Sequence, residues 1–274
     1  VGAVVAVWIV VSGPGLPHGG SSAGSQPRVS GRHAVPDRVM TWNVCNPCGS
    51  GDFDLASEIA RAAPQVIGLQ ESCTGQVERI RSALKNRYGL DYHVEYGTVL
   101  RSWGRCGGAP WKPGGYGEAI LSAAPMTDAV AVEYPDGGSE DRGYMAVTTT
   151  VGGRPVRVFN THLAERRQEP VRAKQVDVLA EAVARHTPAI VLGDFNAVPY
   201  AAELHALWPL VKDADPRCRP SSSEGCGTTT DWHSTFDYVF LRGVEARDHH
   251  VRPSAYSDHH MLYADLRTAG KGVS

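Results

Sequence analysis

Short apolar runs of strand length break off, one after another, on an amide, a carboxylate or an imidazole. They end at Thr41-Trp42-Asn43, Gln70-Glu71, Asn160-Thr161-His162 and Gly193-Asp194-Phe195-Asn196; later come Phe236-Asp237-Tyr238 and Ser257-Asp258-His259-His260. A strand that is apolar along its length and polar at one end must pack its body and expose its tip. No single run is convincing; their order and their positions at strand ends make the case. Carboxylates, amides and histidines together suit a hard cation and a phosphate ester.

The elements follow from periodicity. Arg38 to Val44 reads as a strand, stopped by Asn-Pro and Gly-Ser-Gly. Asp54 can cap a helix from Leu55 to Ala62. Val66 to Leu69 is a buried strand running into Gln70-Glu71, and Gly75 to Arg87 is amphipathic, with Val77, Ile80, Ala83 and Leu84 on one face. Strands are predicted over 92–99, 116–122, 129–134, 144–151, 156–163, 189–192, 236–241 and 261–266. Gly152-Gly153 is a hairpin turn. The longest helix is predicted from Glu165 to Arg185 and a short one over 201–207; 101–115 and 211–235 read as loops. The βα rhythm is irregular and no G-x-G-x-x-G follows the first strand, so a dinucleotide-binding fold has no support. Two packed sheets with helices outside fit the order better.

The 274 residues suffice for one large core. A single catalytic domain is expected over 37–268, with a tail at 269–274. Residues 1–12 are apolar and uncharged, too short to span a bilayer, and read as the remnant of an export signal or anchor. Residues 13–36 are rich in Gly, Ser and Pro and read as a flexible leader. A net charge of -2, from 27 basic and 29 acidic residues, argues against tight architectural binding of nucleic acid. It leaves room for an enzyme that handles a polyanion through local arginines and a cation. The six cysteines are dispersed in the manner of an exported protein with disulfides. A Cys218–Cys226 bridge is expected; Cys45 or Cys48 pairing with Cys73 is attractive, and the connectivity of Cys45, Cys48, Cys73 and Cys106 is open.

Glu71 ends an apolar strand, where a carboxylate is either solvated or bound to a cation. Asn43 ends the first strand likewise and meets Glu71 if the strands are neighbours. Asp194 and Asn196 are two apart; in extended backbone both face one way, able to hold a phosphate and its attacking water. His162 shares a strand face with Asn160. Asp258 can orient His259, or another carboxylate brought near by folding does so. Asp237, between two aromatics, needs a buried partner, which an active-site histidine would supply. His260 alternates away and reads as packing. Arg142 could clamp a phosphate, whereas Arg166, Arg167, Arg172 and Lys174 read as the solvated face of the long helix. There is no H-E-x-x-H and no G-x-S-x-G, so zinc and serine hydrolysis lack support.

VMTWNV, VIGLQE, YGEAILS, FNTHL, VLGDFNAVP, FDYVF and YSDHHM, in that order, resemble the endonuclease/exonuclease/phosphatase superfamily, the DNase I-like group, from Arg38 to about Leu266. The resemblance implies an α/β four-layered sandwich, with two mainly antiparallel sheets flanked by helices and the site at one edge. It implies Asn43, Glu71 and Asp258 as the metal side, with Mg²⁺ the expected ion and Mn²⁺ or Ca²⁺ possible substitutes. It implies His162, Asp194, Asn196, Asp237 and His259 as catalytic, and Asn43, Arg142 and Asn196 at the phosphate. Cys45 stands two after Asn43, where abasic-site endonucleases carry aspartate, so repair activity is not expected. The expected function is a secreted or extracytoplasmic, monomeric, DNase-like endonuclease. A lipid or isoprenoid-pyrophosphate phosphatase or sphingomyelinase-like phospholipase, held at a membrane through the N-terminus, is the alternative. A non-catalytic binding protein is the third reading.

Overall fold

The computed structural model describes residues 33–45, 51–136, 138–222 and 224–267. The apolar run at 1–12, nearly all of the leader, Cys48 and the tail at 269–274 lie outside the described residues.

In chain order the strands and helices are β1 (Val35–Asn43), α1 (Asp52–Ala62), β2 (Pro64–Cys73), α2 (Thr74–Tyr88), β3 (His93–Arg101) and the one-turn α3 (Trp103–Cys106). Next come β4 (Gly108–Ala109), β5 (Lys112–Pro113), β6 (Gly115–Ser122), β7 (Thr127–Glu133), β8 (Gly143–Val151), β9 (Arg154–His162), α4 (Glu169–Ala184) and β10 (Ala189–Asp194). The chain ends with β11 (Lys212–Asp213), β12 (Asp237–Arg242), β13 (Ala246–Arg252) and β14 (Met261–Leu266). One sheet has the order β13-β14-β1-β2-β6-β3 and the other β11-β12-β10-β9-β8-β7. Pairing is antiparallel except for β1 with β2 and β10 with β9.

Strand alternation sorts the side chains into layers. Val39, Val66, Val158, Ile190, Leu192 and Val239 fill the space between the sheets. Met40, Trp42, Ile67 and Leu69 face the other way, onto Leu55 and Ile59 of α1 and Val77 and Ile80 of α2. Phe159, Val191, Tyr238 and Phe240 pack outward on Val176, Leu179 and Val183 of α4. The result is the four-layered DNase I-like sandwich.

The sheets approach closely at Gly68: a Cβ there would stand 2.7 Å from Asn160 Oδ1 and 3.0 Å from Leu192 Cβ. Asn160 is a pin between the layers. Its Nδ2 donates to Leu69 O (2.9 Å) and Ala119 O (3.0 Å), and its Oδ1 accepts from Gln70 Nε2 at 2.6 Å. Gln70 Nε2 also donates to Thr41 Oγ1.

Several boundaries differ from expectation for identifiable reasons. Helix α1 starts at Asp52 behind Gly51, and Asp54 makes no cap bond; it sits in the first turn, where its charge complements the helix dipole. Helix α4 starts at Glu169, with proline in its first turn, so Glu165 to Arg167 form a loop ahead of it. The short helix shrinks to a 3-10 turn over Ala202–Leu204. Strand β13 gave no apolar signal because it is a polar, half-exposed edge. The 101–115 loop contains α3 and the β4–β5 ladder; Trp103 and Trp111 are exposed, but Tyr116 is buried under the Arg105 guanidinium.

Cys218 pairs with Cys226, as expected. Cys73 pairs with Cys106 instead of Cys45 or Cys48, because α3 lies across the end of β2. Cys45 is disulfide-bonded too. Bridges of this kind point to an oxidising environment. Among the described residues, no helix is long and apolar enough to cross a membrane.

Candidate active site

The inward faces that carry the inter-sheet core turn polar at one end. Val39 leads by alternation to Thr41 and Asn43, Val158 to Asn160 and His162, and Leu192 to Asp194; Asp237 begins the inward face of β12. Register then sets the tips side by side, with Asn43 opposite Gln70 and Asp194 opposite His162. Glu71 breaks the alternation. Its pairing with β6 shifts between Leu69 and Ser72, and its backbone is left-handed at φ 52°. That bulge turns toward the site a side chain that strict alternation would send to the helices. Asn196 also lies in the left-handed region (φ 49°), so a turn, not extended backbone, sets it beside Asp194.

Asp194 Oδ2 is the hub. Asn43 Nδ2 donates to it at 3.1 Å and to Glu71 Oε1 at 3.0 Å, tying the two carboxylates together across the sheets. His162 Nε2 is 3.3 Å from the same oxygen and His259 Nε2 3.6 Å. Asp237 Oδ2 accepts from His259 Nδ1 at 2.9 Å, making a buried dyad. Asn43 Oδ1 accepts from Cys45 N, and Asp194 Oδ1 from Asn196 N. The closing loop is fixed by Ser257 Oγ donating to Asn43 O and by Trp42 Nε1 donating to His259 O.

The two histidines stand in opposite electrostatic surroundings. An arginine has only donors, so His162 Nδ1, 3.1 Å from Arg142, must accept and the imidazole proton sits on Nε2, facing Asp194. Asn196 Nδ2, also beside that nitrogen, then donates to Leu163 O. Burial, followed by the charges of Arg142 and His259, holds His162 well below its ordinary value. Burial also disfavours the His259 charge, but Asp237 and Asp194 outweigh it and push His259 up to about 10. Asp194 rises to about 7 because it is buried, against the pull of His259.

In metal-free protein, His259 is therefore expected to titrate near pH 10 and His162 below 6.5, as followed by imidazole NMR. The stability that His259 contributes is complete below its ordinary 6.5 and is lost as pH rises through about 10. His162 acts oppositely: stability falls as pH drops below 6.5 and the buried ring must charge. Both rings titrating near 6.5 would overturn this assignment.

Other expected residues fall as follows. Arg142 stands on the far side of His162, with its guanidinium 2.7 Å from Glu140. Asp258 precedes His259, and its charge helps to raise His259. His260 packs on Thr228 O and Asp231. Arg172 is buried, not solvated; it pairs with Glu203 and donates to the carbonyls of Ala164, Glu165 and Arg166. Glu118, inside β6, was passed over by sequence reasoning. It is buried near Arg142, its Oε2 has no partner, and burial raises it to about 8. A carboxylate followed directly by the apolar run Ala119-Ile120-Leu121 was the available signal.

Asp194, Asp237 and His259 offer ligand atoms within 4.8 Å of one another, all buried. His259 Nδ1 is engaged by Asp237, and hard cations prefer oxygen, so the fit is best on the carboxylate side, at Glu71, which Asn43 ties to Asp194. A buried oxygen-rich cluster of this kind can hold a divalent ion.

Residues 40–259 match the model of the Endonuclease/Exonuclease/phosphatase family. The chain belongs to that family. Together with the acid and histidine cluster, this supports metal-dependent phosphoesterase activity. Among solved structures, an endonuclease/exonuclease/phosphatase from Beutenbergia cavernae is 22% identical with TM-score 0.70, covering 86% of this chain and 72% of that one. D. rerio TDP2 complexed with a single-strand DNA product is 22% identical with TM-score 0.65, covering 84% and 98%. A family protein from Leptotrichia buccalis is 15% identical with TM-score 0.65, covering 84% and 99%. These likenesses show the fold. No curated protein matches the sequence.

Proposed function

We propose that this chain is a divalent-cation-dependent phosphodiesterase, a DNase-like endonuclease working in oxidising, extracytoplasmic surroundings. The observation that carries the reading is the convergence of Asn43, His162 and His259 on one buried Asp194 oxygen, with Glu71 tied in through Asn43. Glu71, Asn43 and Asp258 form the side that would hold Mg²⁺, with Mn²⁺ or Ca²⁺ as substitutes. When bound there, the ion would supply charge stabilisation to the phosphoryl oxygens. Asp194, poised near neutral pH, accepts the proton of the attacking water. Asn196 donates its amide to a phosphoryl oxygen. The His259 imidazolium, kept charged by Asp237, holds another. His162 presents Nε2–H to the leaving oxygen, and Arg142 fixes that tautomer. A nucleic acid substrate gains support from the relative solved with a single-strand DNA product.

The test is hydrolysis of single- and double-stranded DNA, RNA and bis(p-nitrophenyl) phosphate with and without EDTA. Activity is expected with Mg²⁺ or Mn²⁺ and none after chelation; full activity in EDTA would rule the mechanism out. One observation favours a lipid phosphate instead: Trp103 and Trp111 are 57% and 87% exposed on the 101–115 loop. Turnover of sphingomyelin or isoprenoid pyrophosphate with inert nucleic acid would select that reading.

A further inference from the structure

The end of the sandwich remote from the catalytic edge holds a cleft of about 700 Å³. Strand register places it there. β12 pairs with β10 from Asp237 beside Asp194 to Arg242 beside Ala189, so Arg242 lies roughly 16 Å along the strand from the catalytic dyad. The β8–β9 hairpin turns at this same end, whereas Gly143 and His162 pair at its catalytic end. The cleft is lined by that turn, by the segment 208–212, by the turn from β12 to β13 and by the end of β14. None of its lining residues belongs to the cluster around Asp194.

The floor is where the inter-sheet core comes to the surface. Val151, Val156, Leu241 and Leu266 belong to that core and also line the cleft. Leu210 and Val244 stand partly exposed beside them. The rim has the opposite character. Arg154, Lys212, Arg242 and Arg267 surround the floor, and Glu245 is the single acid among the lining residues. Arg267 stands 3.6 Å from Glu245. Arg242 is fixed by donating to the carbonyls of His186 and Leu210 and to Thr187 Oγ1, neutral acceptors that leave its charge uncompensated. Arg154 and Lys212 are exposed and make no ion pair with any described residue. Four cations against one acid make this rim strongly positive, in a chain whose net charge is -2.

An aliphatic hollow ringed by cations selects its ligand. With one carboxylate, it offers a metal ion no oxygen cage. A bare anion would satisfy the rim and leave the floor wet, and a hydrocarbon would cover the floor and leave the cations without a partner. An alkyl chain that ends in one anionic head satisfies both. The volume lies within the roughly 300–1,000 Å³ range of small-molecule sites. We propose that this cleft binds an anionic amphiphile, with its tail on Val151, Val156, Leu241 and Leu266 and its phosphate or carboxylate head between Arg154, Lys212 and Arg242. The site is separate from the catalytic edge and does not rest on the phosphodiesterase reading.

The experiment is isothermal titration calorimetry on the full chain in EDTA, with every probe below its micelle concentration. The probes are inorganic phosphate, butyl phosphate, octyl phosphate, octanoate and octyltrimethylammonium. Octyl phosphate should bind more tightly than butyl phosphate, by up to about fourfold for each added methylene that the floor covers. Inorganic phosphate and the ammonium should not displace it. Arg154→Glu combined with Lys212→Glu should weaken octyl phosphate binding by about tenfold or more, with circular dichroism and phosphodiester turnover unchanged. Arg154→Gln with Lys212→Gln, which removes the charges without reversing them, should fall in between. Octanoate binding with the same charge dependence assigns the head to a carboxylate, and octyl phosphate binding alone assigns it to a phosphate; either result agrees with the proposal. Four results overturn it: no binding of either octyl anion, affinity independent of chain length, equal binding of the ammonium, or undiminished octyl phosphate binding in the folded Glu variant. The last would put the anion elsewhere, with the catalytic edge the first place to look.

Discussion

Replacing His259 by alanine is expected to lower phosphodiester turnover by about 10²–10⁴-fold, the usual size of a lost acid–base or charge-stabilising group. The imidazole touches Asp237 through Nδ1 and faces Asp194 through Nε2, so its removal takes away both the positive charge and the link between the two acids. The same change leaves the buried Asp237 carboxylate without its ring partner, which by itself costs stability. Turnover must therefore be measured on protein shown to be folded, by circular dichroism and at a temperature below its transition. His259→Gln separates the effects, since an amide can still donate to Asp237 but cannot carry the charge. Both variants should lose turnover, and the glutamine should lose less stability. Near-full turnover in either folded variant would remove His259 from the mechanism.

The second large effect is on stability. Asn160→Ala should destabilise the fold by about 2–5 kcal/mol, because it removes the amide that donates to Leu69 O and Ala119 O and accepts from Gln70 in the buried interior, and leaves Gln70 only Thr41 as a partner. Unsatisfied buried groups cost about 1–3 kcal/mol each, and neighbours that share a network do not add fully. At about 2–4 °C per kcal/mol for a chain of this size, the melting temperature should fall by roughly 5–15 °C. Urea unfolding of the two proteins measures it. A loss below about 0.5 kcal/mol would show that water or a shifted Gln70 replaces the amide.

Asn160 also shows where sequence reading stops. Its place two residues before His162 suggested a shared functional face, and the face is shared, but Asn160 lies one step deeper and fastens the sheets. Alternation alone made the strand tips legible: Asn43, His162 and Asp194 each follow apolar residues of the same face, so period two carried them to the inter-sheet edge. The same rule misdirects Glu71, which reaches the site only through a bulge, and Asn196, which reaches it through a left-handed turn. Backbone irregularities of this kind leave no trace in hydrophobic period. The Asp237–His259 pairing was foreseeable in outline, since a buried carboxylate must find a partner. Helix α4 hid its own lesson: placing its start four residues early turned the Arg166–Arg167 loop into a solvated helix face. Cys73 was expected to seek its neighbours in sequence, and α3 brought Cys106 to it.

The contact at Gly68 ties the interior to the chemistry in a further way. Asn43 and Glu71 belong to one layer, His162 and Asp194 to the other, and the gap between them is set where Gly68 meets Asn160 and Leu192. The reactive edge thus inherits its tolerances from core volumes deeper in the molecule. A methyl group added at that contact would act as a shim, widening the slit between the acids while touching none of them. Residues that never meet substrate are in this sense the calibration of the site, and their freedom to vary is limited by the reaction as much as by the fold.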